Sequence, residues 1–344
     1  MKRILLTTFQ IFVTIFLLWW IFRDPEKNRE MAKAILSAEW LWLLPGIACV
    51  GVACLLQTGR WYLLLAAQSI HMGWWRTFRV YMVGMFFNLF LLGATGGDVV
   101  KIYYAMRETL AKKGAALLSV LVDRMMGLLG LMVVTAVVVT LRWESLNSHP
   151  ITQGLLGTLA MVMGAMGGMV VFGFIVDRFH LANRLPSWLP LRGKISEFAN
   201  AFSVYARDGK TLSATLGLSV SAHIFNFLAF YCAALGFGVF RGLSGLVDIA
   251  SVMPVVMTIT ALPISLSGVG VREALFEQML AALFGTPQAT SVMISMTGFF
   301  MTVFWGLVGG ALYLCYRPSG GLHLAEMRRD VDVVEAEMEK PCDP

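Results

Sequence analysis

The stretch Phe78-Arg79-Val80-Tyr81-Met82-Val83-Gly84-Met85-Phe86-Phe87-Asn88-Leu89-Phe90-Leu91-Leu92-Gly93-Ala94-Thr95-Gly96-Gly97-Asp98-Val99-Val100-Lys101 decides the fold. An apolar run ends in a Gly-rich turn. The arm that follows is short, opens on Asp98 and carries Lys101 and Arg107. A second segment, Leu246–Phe284, repeats the plan: an apolar run with Pro254 and Pro263, the turn Ser265-Leu266-Ser267-Gly268-Val269-Gly270, then a helical arm with Arg272, Glu273 and Glu277. Short, charged second arms fit re-entrant hairpins better than pairs of spans. Non-helical backbone at membrane depth is tolerated only against protein or a water-lined cavity.

Six apolar runs surround these hairpins: Ile4–Phe22, Leu41–Gln68, Gly114–Leu141, Ile151–Val176, Thr211–Phe237 and Pro287–Tyr316. Each has about the length needed to cross, roughly 20 residues. The first ends Trp19-Trp20-Ile21-Phe22-Arg23-Asp24-Pro25, an aromatic belt instead of a small-residue cleavage site, and so is an uncleaved anchor. The expected fold is an all-α polytopic membrane protein with about six full crossings plus two re-entrant hairpins. They form an inverted repeat, residues 1–141 against 142–316, within one transmembrane domain, 1–316. Eight or nine plain spans without hairpins is the alternative. Lys194–Arg207 has the apolar spacing of an interfacial helix, and 317–344 is a polar cytoplasmic tail.

Composition agrees. The chain of 344 residues is 58% hydrophobic and 14% charged, where a soluble domain is roughly 25% charged. A cytosolic enzyme, a disordered chain and a secreted disulfide scaffold are therefore excluded. The net charge of +6 reflects Lys and Arg at cytoplasmic segments and not a nucleic-acid partner. With the N-terminus inside, eighteen Lys and Arg fall on cytoplasmic segments and seven outside, so both termini are expected in the cytoplasm. Arg23–Glu39 dissents with four basic residues outside, accompanied by four acids. The five cysteines show no C-x-x-C spacing and no metal cluster forms with the scattered histidines, so neither a metal nor a cofactor is expected.

Charges inside the spans are the main functional signal, since each costs about 2.5–3.5 kcal/mol at a span centre on insertion scales. Asp123 and Arg124 lie about 14 Å into their span. Adjacent helical residues do not face one another, so each needs a partner elsewhere. Arg60 is the candidate partner of Asp123, and Asp98 that of Arg124. Such pairs can clamp the fold, bind substrate, or do both. Gly96, Gly97, Gly268 and Gly270 allow backbone to approach a ligand at a half-helix start, where free amides suit phosphate. Asp98 would compete there, either as a cap or as a cation's partner. Phosphate contact then falls to Lys101, Arg124, Arg272 and loop amides. Glu273 suits its helix start, whereas Arg272 must face a partner or the cavity. His223 with Asn226 is a weaker candidate, a lone His in a bundle being more often hydrogen-bonded. Gly209-Lys210-Thr211 lacks the first Gly of a P-loop. Gly164/Gly168 and Gly306/Gly310 have the spacing of helix-packing pairs.

The chain resembles the lysylphosphatidylglycerol synthase transmembrane family, also called flippase-like. The resemblance rests on Gly59-Arg60-Trp61, on Asn88 before Gly93-Ala94-Thr95-Gly96-Gly97-Asp98-Val99-Val100-Lys101, on Ser119-Val120-Leu121-Val122-Asp123-Arg124 and on Ser267-Gly268-Val269-Gly270-Val271-Arg272-Glu273-Ala274. Two departures are Leu92-Gly93 where the family often has Pro-Gly, and Lys101 where it often has Arg, which loses the bidentate fork but keeps the charge. The resemblance implies a bacterial inner-membrane protein akin to the membrane half of the multiple peptide resistance factor, which moves aminoacylated phosphatidylglycerol between leaflets. A separate lipid synthase would make that cargo, because no synthase domain is seen here. A polyprenyl-linked lipid is another implied cargo.

The expected function is translocation of an anionic or aminoacylated phospholipid, or of a polyprenyl-linked lipid, without catalysis. The substrate site would be drawn from Arg60, Asn88, Thr95, Gly96, Gly97, Asp98, Lys101, Asp123, Arg124, Ser267, Gly268, Gly270, Arg272 and Glu273. The expected partners are the lipid, the membrane, a separate synthase and a homo-oligomeric copy. A membrane enzyme acting on a headgroup, using Asp98, Asp123 or Glu273, is one alternative. A non-transporting scaffold or small-solute carrier is the other.

Overall fold

The computed structural model describes residues 2–90, 96–108, 113–178, 208–262 and 264–315. Thr95, the interfacial segment 194–207 and the tail 317–344 lie outside the described residues. Twelve helices are described: α1 (Lys2–Phe22), α2 (Pro25–Ser37), α3 (Leu43–Ala67), α4 (Trp74–Phe90), α5 (Gly96–Glu108), α6 (Lys113–Leu141), α7 (Trp143–Leu146), α8 (Pro150–Arg178), α9 (Gly209–Gly236), α10 (Gly242–Thr260), α11 (Val271–Phe284) and α12 (Gln288–Cys315). No strand occurs among the described residues. The protein is an all-α polytopic membrane protein. Five helical segments are long and apolar enough to cross a membrane: Trp40–Ala67, Gly114–Leu141, Gly209–Gly236, Gly242–Thr260 and Gln288–Cys315. Thr8–Phe22 and Pro150–Ala165 are shorter apolar segments of α1 and α8.

Local chemistry sets the helix ends. Asp24 caps α2 by accepting from the Glu26 amide at 3.0 Å, with Pro25 at the first helical position. Asp208 caps α9, accepting from the Thr211 amide at 3.1 Å and its hydroxyl at 2.6 Å. Those bonds hold the Asp208 carboxyl below the ordinary carboxylate range. The Gly209-Lys210-Thr211 sequence is thus a capped helix start. Gly285 ends α11 in the left-handed conformation, φ 61°.

The centre of the molecule is α3 packed antiparallel along α9: Gly46 lies against Cys232, and Gly59 against Leu218. Helix α12 runs alongside α3 in the same direction, with Gly46 against Met301 and Gly51 against Trp305. Helix α4 doubles back along α3, its Trp74 beside Tyr62 and its Met85 beside Cys54. Helices α4 and α5 then form the first hairpin, and α10 and α11 the second. The two halves share a contact plan. Helix α4 packs on α3, α5 and α12, and α10 packs on α9, α11 and α6.

Small residues set the closest approaches. A Cβ at Gly97 would collide with the Gly84 carbonyl, and one at Gly310 would lie 2.8 Å from the Phe86 ring. Gly164 and Gly168 face open space instead. No described element lies over that face of α8. Among described cysteines, Cys49, Cys54, Cys232 and Cys315 are free.

Candidate functional site

The site begins where α5 leaves the first turn. Asn88 accepts a hydrogen bond from the Gly97 amide at 2.9 Å, so a side chain from α4 satisfies an amide at the start of α5. Asp98 follows in the first turn of α5. It pairs with the Arg124 guanidinium on α6. One turn further along α5, Lys101 Nζ lies 3.2 Å from Asp123 Oδ2, while Arg60 Nε on α3 lies 2.7 Å from Asp123 Oδ1. Both pairings inferred from the sequence, Arg60 with Asp123 and Asp98 with Arg124, are present. Gly127 makes room for Arg60, since a Cβ there would lie 2.9 Å from its guanidinium.

Burial divides this network. Arg60, Lys101 and Asp123 are at most 6% exposed, whereas the Arg124 side chain is 43% exposed and that of Asp98 14%. Among the described residues, Asp123 is the carboxylate within bonding reach of both buried cations. Lys101 Nζ also sits 4.4 Å from the centre of the Tyr81 ring and 5.3 Å from that of Trp61, contacts that stabilise a cation without neutralising it. Arg60 donates to the Ser219 hydroxyl at 3.1 Å.

The second hairpin is organised differently. Its turn passes through three left-handed positions, Ser267 (φ 50°), Gly268 (φ 76°) and Gly270 (φ 86°). Glu273 accepts from the Gly270 amide at 2.6 Å. Its other oxygen accepts from Arg272 at 2.8 Å and from the Ser295 hydroxyl at 3.0 Å. Arg272 lies 4.0 Å over the Phe299 ring. The guanidinium thus folds back onto its own neighbour, a reach that the shorter Asp123–Arg124 pair does not make. The second tip reaches the end of α4, where the Ser267 hydroxyl donates to the Leu89 carbonyl at 3.4 Å. The second tip is also held by α1: the Leu266 amide donates to Thr14 Oγ1 at 3.0 Å, and Leu17 lies against Gly270.

The candidate residues therefore form two groups. Arg60, Asn88, Gly96, Gly97, Asp98, Lys101, Asp123 and Arg124 gather at the first hairpin, and Ser267, Gly268, Gly270, Arg272 and Glu273 at the second. Ser219, Tyr81, Ser295 and Phe299 were not singled out from the sequence. Their signal was the need of each intramembrane cation for a polar or aromatic neighbour. His223 lies beside the first group, its Nε2 3.0 Å from the Gly127 carbonyl.

These features define a multi-pass helical membrane protein whose two hairpins touch beside a buried charge network. Residues 7–310 match the family model described as the lysylphosphatidylglycerol synthase TM region, and the chain belongs to that family. A search of curated proteins returns no match.

Proposed function

We propose that the protein translocates an anionic or aminoacylated phospholipid, or a polyprenyl-linked lipid, between leaflets of the bacterial inner membrane, with both termini in the cytoplasm. It does so without chemistry on the lipid. A separate synthase would supply the cargo if it is aminoacylated, and a second copy of the chain would be compatible with this role. The observation that carries the reading is the half-exposed Arg124, paired with Asp98 and backed by two buried cations that share Asp123. An isolated headgroup charge in hydrocarbon faces an idealised Born cost of order 20 kcal/mol. A fixed positive charge about 8 Å away returns about 2 kcal/mol at an effective dielectric of 20, and direct bonds to Arg124 add to this.

The test is reconstitution into liposomes carrying fluorescent anionic lipid in both leaflets, with a membrane-impermeant quencher added outside. Loss of signal beyond the outer-leaflet half, absent from protein-free vesicles and from Arg124→Gln, is expected. The lipid should be recovered chemically unchanged by mass. Recovery of a modified headgroup would favour the enzyme instead.

A further inference from the structure

Two free cysteines lie opposite one another at the central seam. Cys49 on α3 and Cys232 on α9 act on each other directly, thiol to thiol. The helices are close at this level: a Cβ at Gly46, one turn from Cys49, would lie 3.3 Å from the Cys232 Cβ. A disulfide spans a Cβ separation of roughly 3.5–4.5 Å, so neither helix has to come nearer. Among the described residues, the other two cysteines are placed differently. Cys54 donates to Met85 Sδ at 3.7 Å, and Cys315 is exposed at the far end of α12. The pair also has a route to the surface. Cys49 lies seven residues past Trp42, about 10 Å along the helix, and Cys232 lies five residues before Phe237. Trp40 and Trp42 are the kind of residue that marks a membrane boundary. A small pocket lined by Cys232 is also lined by Glu39, Trp40 and Phe237, and the Glu39 side chain is 61% exposed.

We propose that Cys49 and Cys232 are a disulfide-forming site that clamps α3 to α9 at the end marked by Trp42 and Phe237. With both termini in the cytoplasm, as proposed above, this end faces the outer compartment, where disulfides persist. Only that facing rests on the translocation reading. The step is exchange with a small-molecule disulfide. One cysteine thiolate attacks that disulfide and expels its first thiol, and the second thiolate attacks the mixed disulfide and expels the other. Two protein S–H bonds and one small-molecule S–S bond are lost. One protein S–S bond and two small-molecule S–H bonds form, so the small molecule is reduced by the two electrons the cysteines give up. The new bond closes a loop of more than half the chain, and in the chain-entropy account long loops gain most from closure. It ties the same two helices that the Arg60–Ser219 hydrogen bond of 3.1 Å ties about three turns away.

The experiment treats the full chain in detergent micelles with dithiodipyridine, at mildly alkaline pH because the thiolate is the attacking species. Peptides are then mapped by mass. A lone thiol keeps a pyridyl adduct, whereas a facing pair expels it and closes. The expected product is a Cys49 peptide joined to a Cys232 peptide, with no adduct on either, and separated again by dithiothreitol. The joined protein should unfold about 5–10 °C above the reduced one. In Cys49→Ser both the joined peptide and the rise should be absent. Cys232→Ser repeats this control from the other helix should the first variant not fold. An adduct retained on Cys49 or Cys232, or two thiols still free once Cys315 has reacted fully, overturns the site. Equal unfolding temperatures for joined and reduced protein overturn the clamp. None of these readouts depends on lipid movement, so a failure of translocation would be seen separately.

Discussion

The two hairpins share a plan and differ in where their charges go. In α10–α11, Glu273 collects the Gly270 amide, Arg272 and the Ser295 hydroxyl, all from its own helix, its own turn or the next helix. At α4–α5, Asp98 and Lys101 reach across to α6, where Asp123 is in turn held by Arg60 on α3. Both arms of the second hairpin are also braced by ion pairs from outside the hairpin. Lys27 on α2 lies 2.6 Å from Glu277 on α11, and Arg142 lies 2.8 Å from Asp248 on α10. The second tip is thus a finished, braced unit, whereas the first is a junction that holds three helices through exchangeable ion pairs. Under the proposed function, the ion pairs of the first hairpin are the ones a headgroup would replace.

The strongest way to break this comparison is to neutralise one carboxylate in each hairpin. Asp123→Asn leaves two buried cations without a carboxylate and should destabilise by about 3–5 kcal/mol. Glu273→Gln keeps the size and most of the hydrogen-bonding geometry, and leaves one cation that still stacks on Phe299. It should cost about 1.5–3 kcal/mol. Denaturation in detergent, followed by tryptophan fluorescence, measures both. A larger loss at Glu273 would make the second tip the keystone and reverse the assignment.

Glycine replacements sharpen the contrast next. At Gly97 a methyl group meets the backbone carbonyl of Gly84 and the Asn88 amide, neither of which can rotate away without opening the hairpin. Gly97→Ala should cost about 2–3 kcal/mol as an overpacked site. At Gly270 the new methyl meets the Leu17 side chain at 2.7 Å, which can move, and the positive φ adds about 1–2 kcal/mol. The order Gly97 above Gly270, read as the difference in unfolding midpoint, is the expected result.

Much of this difference was legible in the sequence, and the part that was not has a physical reason. Hydropathy and glycine placement mark both hairpins, because a glycine turn between short apolar arms leaves few alternatives in a membrane. The pairing of Arg60 with Asp123 and of Asp98 with Arg124 follows from the cost of burying a lone charge and from helix depth. Arg272 was harder to place: a rule that neighbours on a helix do not face each other holds for Asp123–Arg124 but fails for a long guanidinium beside a Glu in a first turn. Ser219, Ser295 and Tyr81 carry no sequence signal of their own, since their roles exist only after α9, α12 and α4 have been packed. Gly164 and Gly168 match a packing motif, but spacing alone does not supply a facing helix, and none lies there among the described residues.

A smaller effect is expected at the outer brace. Glu277→Gln removes the partner of Lys27, whose side chain is 9% exposed, and should cost about 1 kcal/mol. Its signature is local: amides of α11 should exchange faster with deuterium while those of α5 keep their native rates. Faster exchange in α5 as well would mean that the two hairpins move as one body, and the distinction between a braced and a working tip would fall.

The smallest stability change should accompany the largest functional one. The Arg124 side chain is 43% exposed, against 6% for Arg60 and Lys101, so its pair with Asp98 is less desolvated than the pairs of Asp123, and Arg124→Gln should shift stability by about 1 kcal/mol or less. Asp98 keeps a cation one turn away, since Lys101 lies three residues further along the same helix. Lipid movement should nevertheless be lost, since the group that meets the phosphate is gone. A folded, unfolding-resistant Arg124→Gln protein that no longer moves lipid separates binding from scaffolding at a single residue. If the same variant instead unfolds as readily as Asp123→Asn, Arg124 is part of the clamp, and the first hairpin is as fixed as the second.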